Sequence, residues 1–264
     1  DETPIKVQDG DKKGTTHLGY YWVYRNIEQN LVLFDYRPGR GREGPNDILK
    51  DFKGYLQTDG YSAYNSFDKS EGITLIHCMA HARRKFYDAL NNDKALAEHA
   101  LGLFGKLYDI ERQIKEGGLA GNEVIALRQQ QAVPVLNELK VWMQEEYPKI
   151  PNRKSPIAVA IAYCLPRWEK LCIYTTDARL RIDNNLVEND IRPIALGRKN
   201  YLFAGSHDAA QRAAMYLTGQ LTLCIVTMGN NFGNKNSHGT IYSTENVYGY
   251  PRLASKRSYP ESVV

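Results

Sequence analysis

Residues 54–61 read Gly54-Tyr55-Leu56-Gln57-Thr58-Asp59-Gly60-Tyr61. A short apolar and aromatic run ends in Asp-Gly, so the stretch predicts a β-strand over Tyr55–Asp59 closed by a turn. Working back from it, Pro45 or Asn46 opens a short helix to about Phe52, preceded by the basic, Gly-rich stretch 37–45. Before that stand three strand-like runs. Leu31–Tyr36 is one, and Leu18, Tyr20, Trp22 and Tyr24 alternate with Gly19, Tyr21, Val23 and Arg25 in a second. The first has Thr3, Ile5 and Val7 on one side, with Pro4 awkward for a central strand. Residues 8–16 are turn material. Working forward, Ser62–Lys69 holds a helical turn and Thr74–Cys78 a fifth strand.

From Ala80 to about Tyr174 the apolar period becomes helical. Leu96, Ala100, Leu103, Leu107, Ile110 and Ile114 step by fours and threes, Val124, Leu127, Leu136, Leu139 and Trp142 follow, and Ile157, Ile161, Cys164, Trp168 and Cys172 form another face. Pro134 predicts a kink or break. Asp183-Asn184-Asn185 predicts a helix start, with the helix limited by Pro193, and Asp208–Leu223 one more helix. The expected organisation is therefore a first core part over 1–79, a helical insertion over 80–175, a last core part over 176–228, and a tail over 229–264 read as disordered. The fold class is α/β.

The 264 residues carry a net charge of +4, 42% hydrophobic and 24% charged residues, ordinary for a globular protein. No apolar run approaches the roughly 20 residues that span a bilayer, and four scattered cysteines make no disulfide framework. The expected location is the cytoplasm. The chain begins at Asp1 rather than Met and reads as a fragment. Basic clusters, Arg37, Arg40 and Arg42, then Arg83, Arg84 and Lys85, then Arg198 and Lys199, suit a polyanion, or are simply solvated.

Three acids stand where chemistry can be carried. Phosphodiester hydrolysis without a covalent intermediate uses two divalent ions about 4 Å apart held by carboxylates. Asp1, Asp59 and Glu188 are the candidates. Each has a plainer alternative: Asp1 a solvated terminus, Asp59-Gly60 a common turn, and Glu188 a capping-box partner of Asn185 or a helix pair with Arg192. Cys78-x-x-His81 is half of a zinc pattern without a second half, so it is read as a packing cluster that aims the basic run behind it. Arg192, Arg198 and Lys199 can meet phosphates. Tyr201 and Phe203 are read as core, with base stacking as the alternative.

These residues resemble one family, the transposases of the insertion-sequence-66 type within the DDE superfamily. The resemblance runs through Asp1-Glu2-Thr3-Pro4, then 54–61, then Cys78-Met79-Ala80-His81-Ala82-Arg83-Arg84-Lys85-Phe86. It continues in Ile182-Asp183-Asn184-Asn185-Leu186-Val187-Glu188 and through Arg192-Pro193, Gly197-Arg198-Lys199-Asn200 and Phe203-Ala204-Gly205. It implies an RNase H-like mixed five-stranded sheet with flanking helices, in which the strand of Asp59 neighbours that of Asp1, and a large all-helical insertion. It implies Asp1, Asp59 and Glu188 as catalytic, metal-binding acids with two Mg²⁺ or Mn²⁺ ions. Transposon-end and target DNA are the expected partners, with a homo-oligomer in the DNA complex and accessory transposition proteins. From residue 217 onward the family pattern is lost. A catalytically inactive remnant that keeps fold and DNA binding is the rival expectation. A junction-resolvase-like nuclease is disfavoured by the long insertion and by Asn184-Asn185 followed by Glu188.

Overall fold

The computed structural model describes residues 1–8 and 14–233, with residues 222–233 as helical backbone alone. Asp1–Ile225 form one compact unit. Val226–Val264 form a second, whose described part is the end of a helix.

Strands β1 (Glu2–Gln8), β2 (Thr16–Asn26) and β3 (Leu31–Arg37) make the expected antiparallel meander, with Thr3 opposite Tyr21 and Val23 opposite Phe34. Alternation sends their side chains to two cores. On one face Ile5, Val7, Tyr21, Val23, Val32, Phe34 and Tyr36 are buried against Ile194, Ala210 and Ala214. On the other, Trp22 packs with Leu49, Tyr64, Phe67 and Leu75. Each such side chain contributes about 1.5–3 kcal/mol when fully buried. Pro4 fits because β1 is an edge of this ladder: Thr3 and Ile5 fall on the bonded positions, and the nitrogen of Pro4 faces away from β2. Segment 198–204 covers that outer edge, with the Gln8 amide donating to Ala204 O and the Ala204 amide to Lys6 O, each at 2.8 Å.

Helix α1 (Glu43–Leu49) leads to β4 (Gly54–Thr58), a 3-10 helix over Ser62–Lys69, and β5 (Ile73–His77), which runs parallel to β4. The expected single five-stranded sheet is not formed. The described strands make one sheet of three, β1-β2-β3, and one of two, β4-β5. The β4–β5 pair bonds no strand of the meander. The Asp1 carbonyl accepts from the Val23 amide at 2.8 Å. In the β4–β5 ladder the Gly54 amide and the Thr58 carbonyl are used, so Tyr55 and Gln57 direct their backbone groups the other way. A cavity of about 560 Å³ separates the two edges, lined by Asp1, Tyr24, Arg25, Tyr55 and Gln57 among others.

The helical stretch contains α2 (Met79–Asp88), α3 (Lys94–Glu116), α4 (Asn122–Leu127), α5 (Val133–Glu146), α6 (Pro156–Cys164) and α7 (Trp168–Cys172). Asp93 caps α3 through the Leu96 amide at 3.1 Å, and Ser155 caps α6. The predicted seam Ala100, Leu103, Leu107, Ile110 and Ile114 is buried in a core that also takes in Phe86, Leu139, Met143 and Ile161. Pro134 sits in the first turn of α5, where its missing N–H costs little, directly after a single π turn over Arg128–Ala132.

The chain returns in α8 (Asn185–Gly197) and α9 (His207–Gly233). Helix α8 runs through Pro193 instead of stopping near Ile191. Ile194, just beyond the proline, is 1% exposed, and Val187 and Ile191 pack on the same core, so burial offsets the roughly 3 kcal/mol that an interior proline costs. Helix α9 outlasts the expected end at Leu223 and takes in residues 229–233 of the expected tail. The remainder of that tail, 234–264, lies outside the described residues, as does most of the predicted turn after β1. Among the described residues no helix is long and apolar enough to cross a membrane.

Candidate active site

Asp59 follows the last residue of β4, and Gly60 turns the chain with φ +88°, a backbone state that favours glycine. The Asp59 carboxylate caps its own turn, Oδ1 accepting from the Tyr61 amide at 2.8 Å. The turn reading is therefore correct, and it leaves Oδ2 free of that bond. Asp1, at the head of β1, uses its Oδ1 to accept from the Glu2 amide at 2.8 Å, while its ammonium donates to Val23 O and Tyr64 Oη.

Glu188 stands in the first turn of α8, where the helix N-terminus favours an acid. Its carboxylate takes neither plain alternative. Oε1 lies 3.7 Å from His81 Nε2 and Oε2 lies 3.5 Å from Arg84 Nη2, both on α2. His81 is pushed down chiefly by burial, and the carboxylates of Asp59 and Glu188 pull in the opposite sense. His81 thus meets Glu188 across the whole helical stretch that separates them in sequence.

Three carboxylates are hard oxygen donors suited to Mg²⁺ or Mn²⁺. As they stand they do not enclose an ion: among the described residues no group of three or more His, Cys, Asp or Glu side chains could hold one. The oxygens of Glu188 face His81 and Arg84, and Oδ1 of Asp1 faces the Glu2 amide.

Cys78 is fully buried, and burial pushes its thiol up to about 11. Its Sγ accepts from the Asn184 amide at 3.4 Å. Cys78 through Asn184 and His81 through Glu188 thus both meet the start of α8. Asn184 precedes α8 without capping it by its side chain. Instead Asp183 accepts from the Asn185 amide at 3.1 Å and from Asn185 Nδ2 at 2.8 Å.

The basic residues divide. Arg83, Arg84 and Lys85 lie exposed along α2, and Arg192 and Lys199 are exposed on and after α8. Arg198 is half-buried and donates to Pro4 O, bracing β1. Arg37 is engaged by Asp35 and Asp47, and Arg40 by Glu2 at 2.6 Å and by the Tyr61 ring, so these two have internal partners. Tyr201 and Phe203 are not core. They are 45% and 46% exposed, and Leu202 between them 73%. The α8 helix has already buried Ile194 against the sheet, and the turn that follows lifts 201–203 off it.

Several residues at the site carried no signal in the sequence. Arg25 of β2 and Asp190 of α8 form a buried ion pair two residues from Glu188. From the helical stretch, Tyr163 of α6 donates to Asp59 O, and Arg167 stacks on the Tyr163 ring. A tyrosine in an apolar helix has no pattern that separates this role from packing.

Residues 1–212 match the family described as "Transposase IS66 family". Three proteins of Sinorhizobium fredii (strain NBRC 101917 / NGR234) are similar. "Uncharacterized protein y4hP" is 32% identical over 248 residues, 85% of this chain and 44% of the relative. "Uncharacterized protein y4qI" is 33% identical over 220 residues, 78% and 40%, and "Uncharacterized protein y4jD" 32% over 174 residues, 63% and 34%. The chain thus spans less than half the length of these relatives. No solved structure matches it. With four-fifths of its residues inside the family match, the chain belongs to the IS66 family of transposases.

Proposed function

We propose that the chain is the catalytic domain of a DDE transposase, with Asp1, Asp59 and Glu188 as its acids. The observation that carries this is the approach of Glu188 to α2, its Oε1 lying 3.7 Å from His81 Nε2 and its Oε2 3.5 Å from Arg84 Nη2. Residues 81 and 188 meet although the whole helical stretch separates them in sequence. In the proposed reaction water adds to a phosphorus at the transposon end and the 3′-hydroxyl leaves. That hydroxyl then attacks a target phosphodiester in line and displaces its 3′-oxygen. Two Mg²⁺ or Mn²⁺ ions held by the three acids would activate the attacking oxygen and stabilise the leaving one. Arg83, Arg84, Lys85, Arg192 and Lys199 position phosphates in this reading, with Arg198 holding the β1 edge beside them. Transposon-end and target DNA are the partners, met in the cytoplasm by an oligomer of this protein with accessory transposition proteins.

The same reading gives an RNase H-like core. Its support is the cavity between β2 and β4, where Arg25, Tyr55 and Gln57 turn unused backbone groups toward a common space. Tyr24 Oη, Arg25 Nε and Asn184 Oδ1, on residues that line it, are buried without hydrogen-bond partners.

A second reading, an inactive remnant that keeps fold and DNA binding, is favoured by the engagement of Glu188 with His81 and Arg84. One experiment separates the two. Supercoiled plasmid is incubated with the protein in Mg²⁺ or EDTA, and thermal stability is followed during Mg²⁺ titration. Nicking that needs Mg²⁺ and is lost in Asp59→Asn, together with stabilisation by Mg²⁺, supports the transposase reading. Plasmid binding with neither effect supports the remnant.

A further inference from the structure

The helical stretch reaches the second acid through one side chain. Tyr163 donates its hydroxyl hydrogen to the carbonyl oxygen of Asp59 at 2.8 Å, across 104 positions of sequence. The approach is close: a Cβ on Gly60 would lie 2.8 Å from Tyr163 Oη and 3.4 Å from both Arg167 Nε and His77 Nδ1. The Tyr163 ring is itself held. The Arg167 guanidinium lies 4.4 Å from its centroid and Lys85 Nζ 5.7 Å, and Arg167 Nη1 donates to Tyr163 O at 3.1 Å. Burial pushes the phenol up to about 12, so it remains a donor at any working pH. On its other side the turn is pinned by the Tyr61 amide on Asp59 Oδ1.

Packing alone does not require this hydroxyl. The helices are attached to the rest of the unit by the contact of α7 with β5, by Lys170 on Asp68 at 2.7 Å, and by Arg128, which donates to three carbonyls of the segment returning to α8. The Tyr163 hydroxyl adds a bond at one place only, the backbone that aims the Asp59 carboxylate.

We propose that Tyr163 is a positioning residue for Asp59: it fixes the 59–61 turn, and so makes the helical stretch a working part of the active site. This rests on Asp59 being a catalytic acid. Tyr163→Phe removes the hydroxyl and keeps the ring. Tyr174→Phe is the control, because its hydroxyl is buried in the same helical stretch and bonds nothing among the described residues. Amide hydrogen exchange and Mg²⁺-dependent plasmid nicking are measured on the full chain. In Tyr163→Phe the Tyr61 amide should exchange on the order of tenfold faster, the weight of one hydrogen bond, while the Leu107 amide keeps its rate. The nicking kcat should fall about tenfold or more with KM for DNA unchanged. Tyr174→Phe should match the parent in both. Parental Tyr61 exchange or parental kcat in Tyr163→Phe overturns the proposal, as do equal losses in the two variants. Asp59→Asn in the same assay separates the failures. If it nicks like the parent, the reading of Asp59 is wrong and the proposal goes with it. If it is inactive while Tyr163→Phe is normal, the proposal alone is wrong.

Discussion

Arg25 of β2 and Asp190 of α8 are joined by two hydrogen bonds of 2.8 Å from one guanidinium nitrogen, with both side chains less than a tenth exposed. The pair fixes α8, and with it Glu188 two residues earlier, to the central strand of the meander. Removing one partner strands the other charge in the interior. Asp190→Ala should therefore cost about 3–5 kcal/mol in urea unfolding, and the double change Arg25→Met, Asp190→Leu clearly less. Equal costs for the two would mean the pair is not what holds α8.

His77 supplies a pH dependence. It is 5% exposed at the end of β5, and burial, with help from Arg167 and Lys170, lowers its pKa from 6.5 to about 4, against the pull of Asp68 and Asp59. The unfolded chain takes up a proton at this histidine before the folded one does. The stability His77 contributes is thus present above pH 6.5 and is lost as pH falls through 4. At 1.36 kcal/mol per unit the full effect is about 3 kcal/mol. Urea midpoints measured from pH 7 to 4 should fall less steeply in His77→Gln than in the parent. Parallel curves would assign the acid limb to other groups.

Arg128 is the keystone of the helical stretch. It is 3% exposed, bonds both oxygens of Glu111 at 2.8 and 2.7 Å, and donates to the carbonyls of Tyr174, Asp177 and Leu180. Arg128→Met leaves a carboxylate and three carbonyls unmet, and should cost about 3–5 kcal/mol. Amide exchange should show the loss first in residues 174–182, ahead of the β1–β3 meander.

DNA binding should follow freedom from internal partners and not mere basic character. Each phosphate contact contributes about 0.9 to the slope of log K against log salt. Arg83→Ala and Lys199→Ala should each reduce that slope by about this amount in fluorescence anisotropy with a duplex. Arg40→Ala should leave the slope unchanged, because Arg40 is committed to Glu2 and Tyr61.

Much of this architecture was legible in the sequence because local periods survive folding. The meander follows from two-residue alternation around Trp22, and the α3 seam from Ala100 to Ile114 follows from the helical period. What stayed hidden depends on partners far away in the chain. Pro193 reads as a stop until Ile194 is seen buried beyond it. Tyr201 and Phe203 read as core until α8 is seen to have filled the sheet face already. The split into two sheets depends on which strand β4 pairs with, and alternation does not reveal pairing. At the site, the three acids were picked out together with the family resemblance, whereas Tyr163, Arg25 and Asp190 are defined only by what they touch.

The most direct measurement is single-turnover DNA cleavage by Glu188→Gln in Mg²⁺, with DNA affinity measured on the same sample. Gln keeps the size of the side chain and a hydrogen-bond acceptor for Arg84, and removes the charge. If Glu188 is the third acid, cleavage should drop to the level seen in EDTA while DNA affinity stays at the parental value. Cleavage at the parental rate in Glu188→Gln would contradict the assignment of Glu188, and with it the three-acid site.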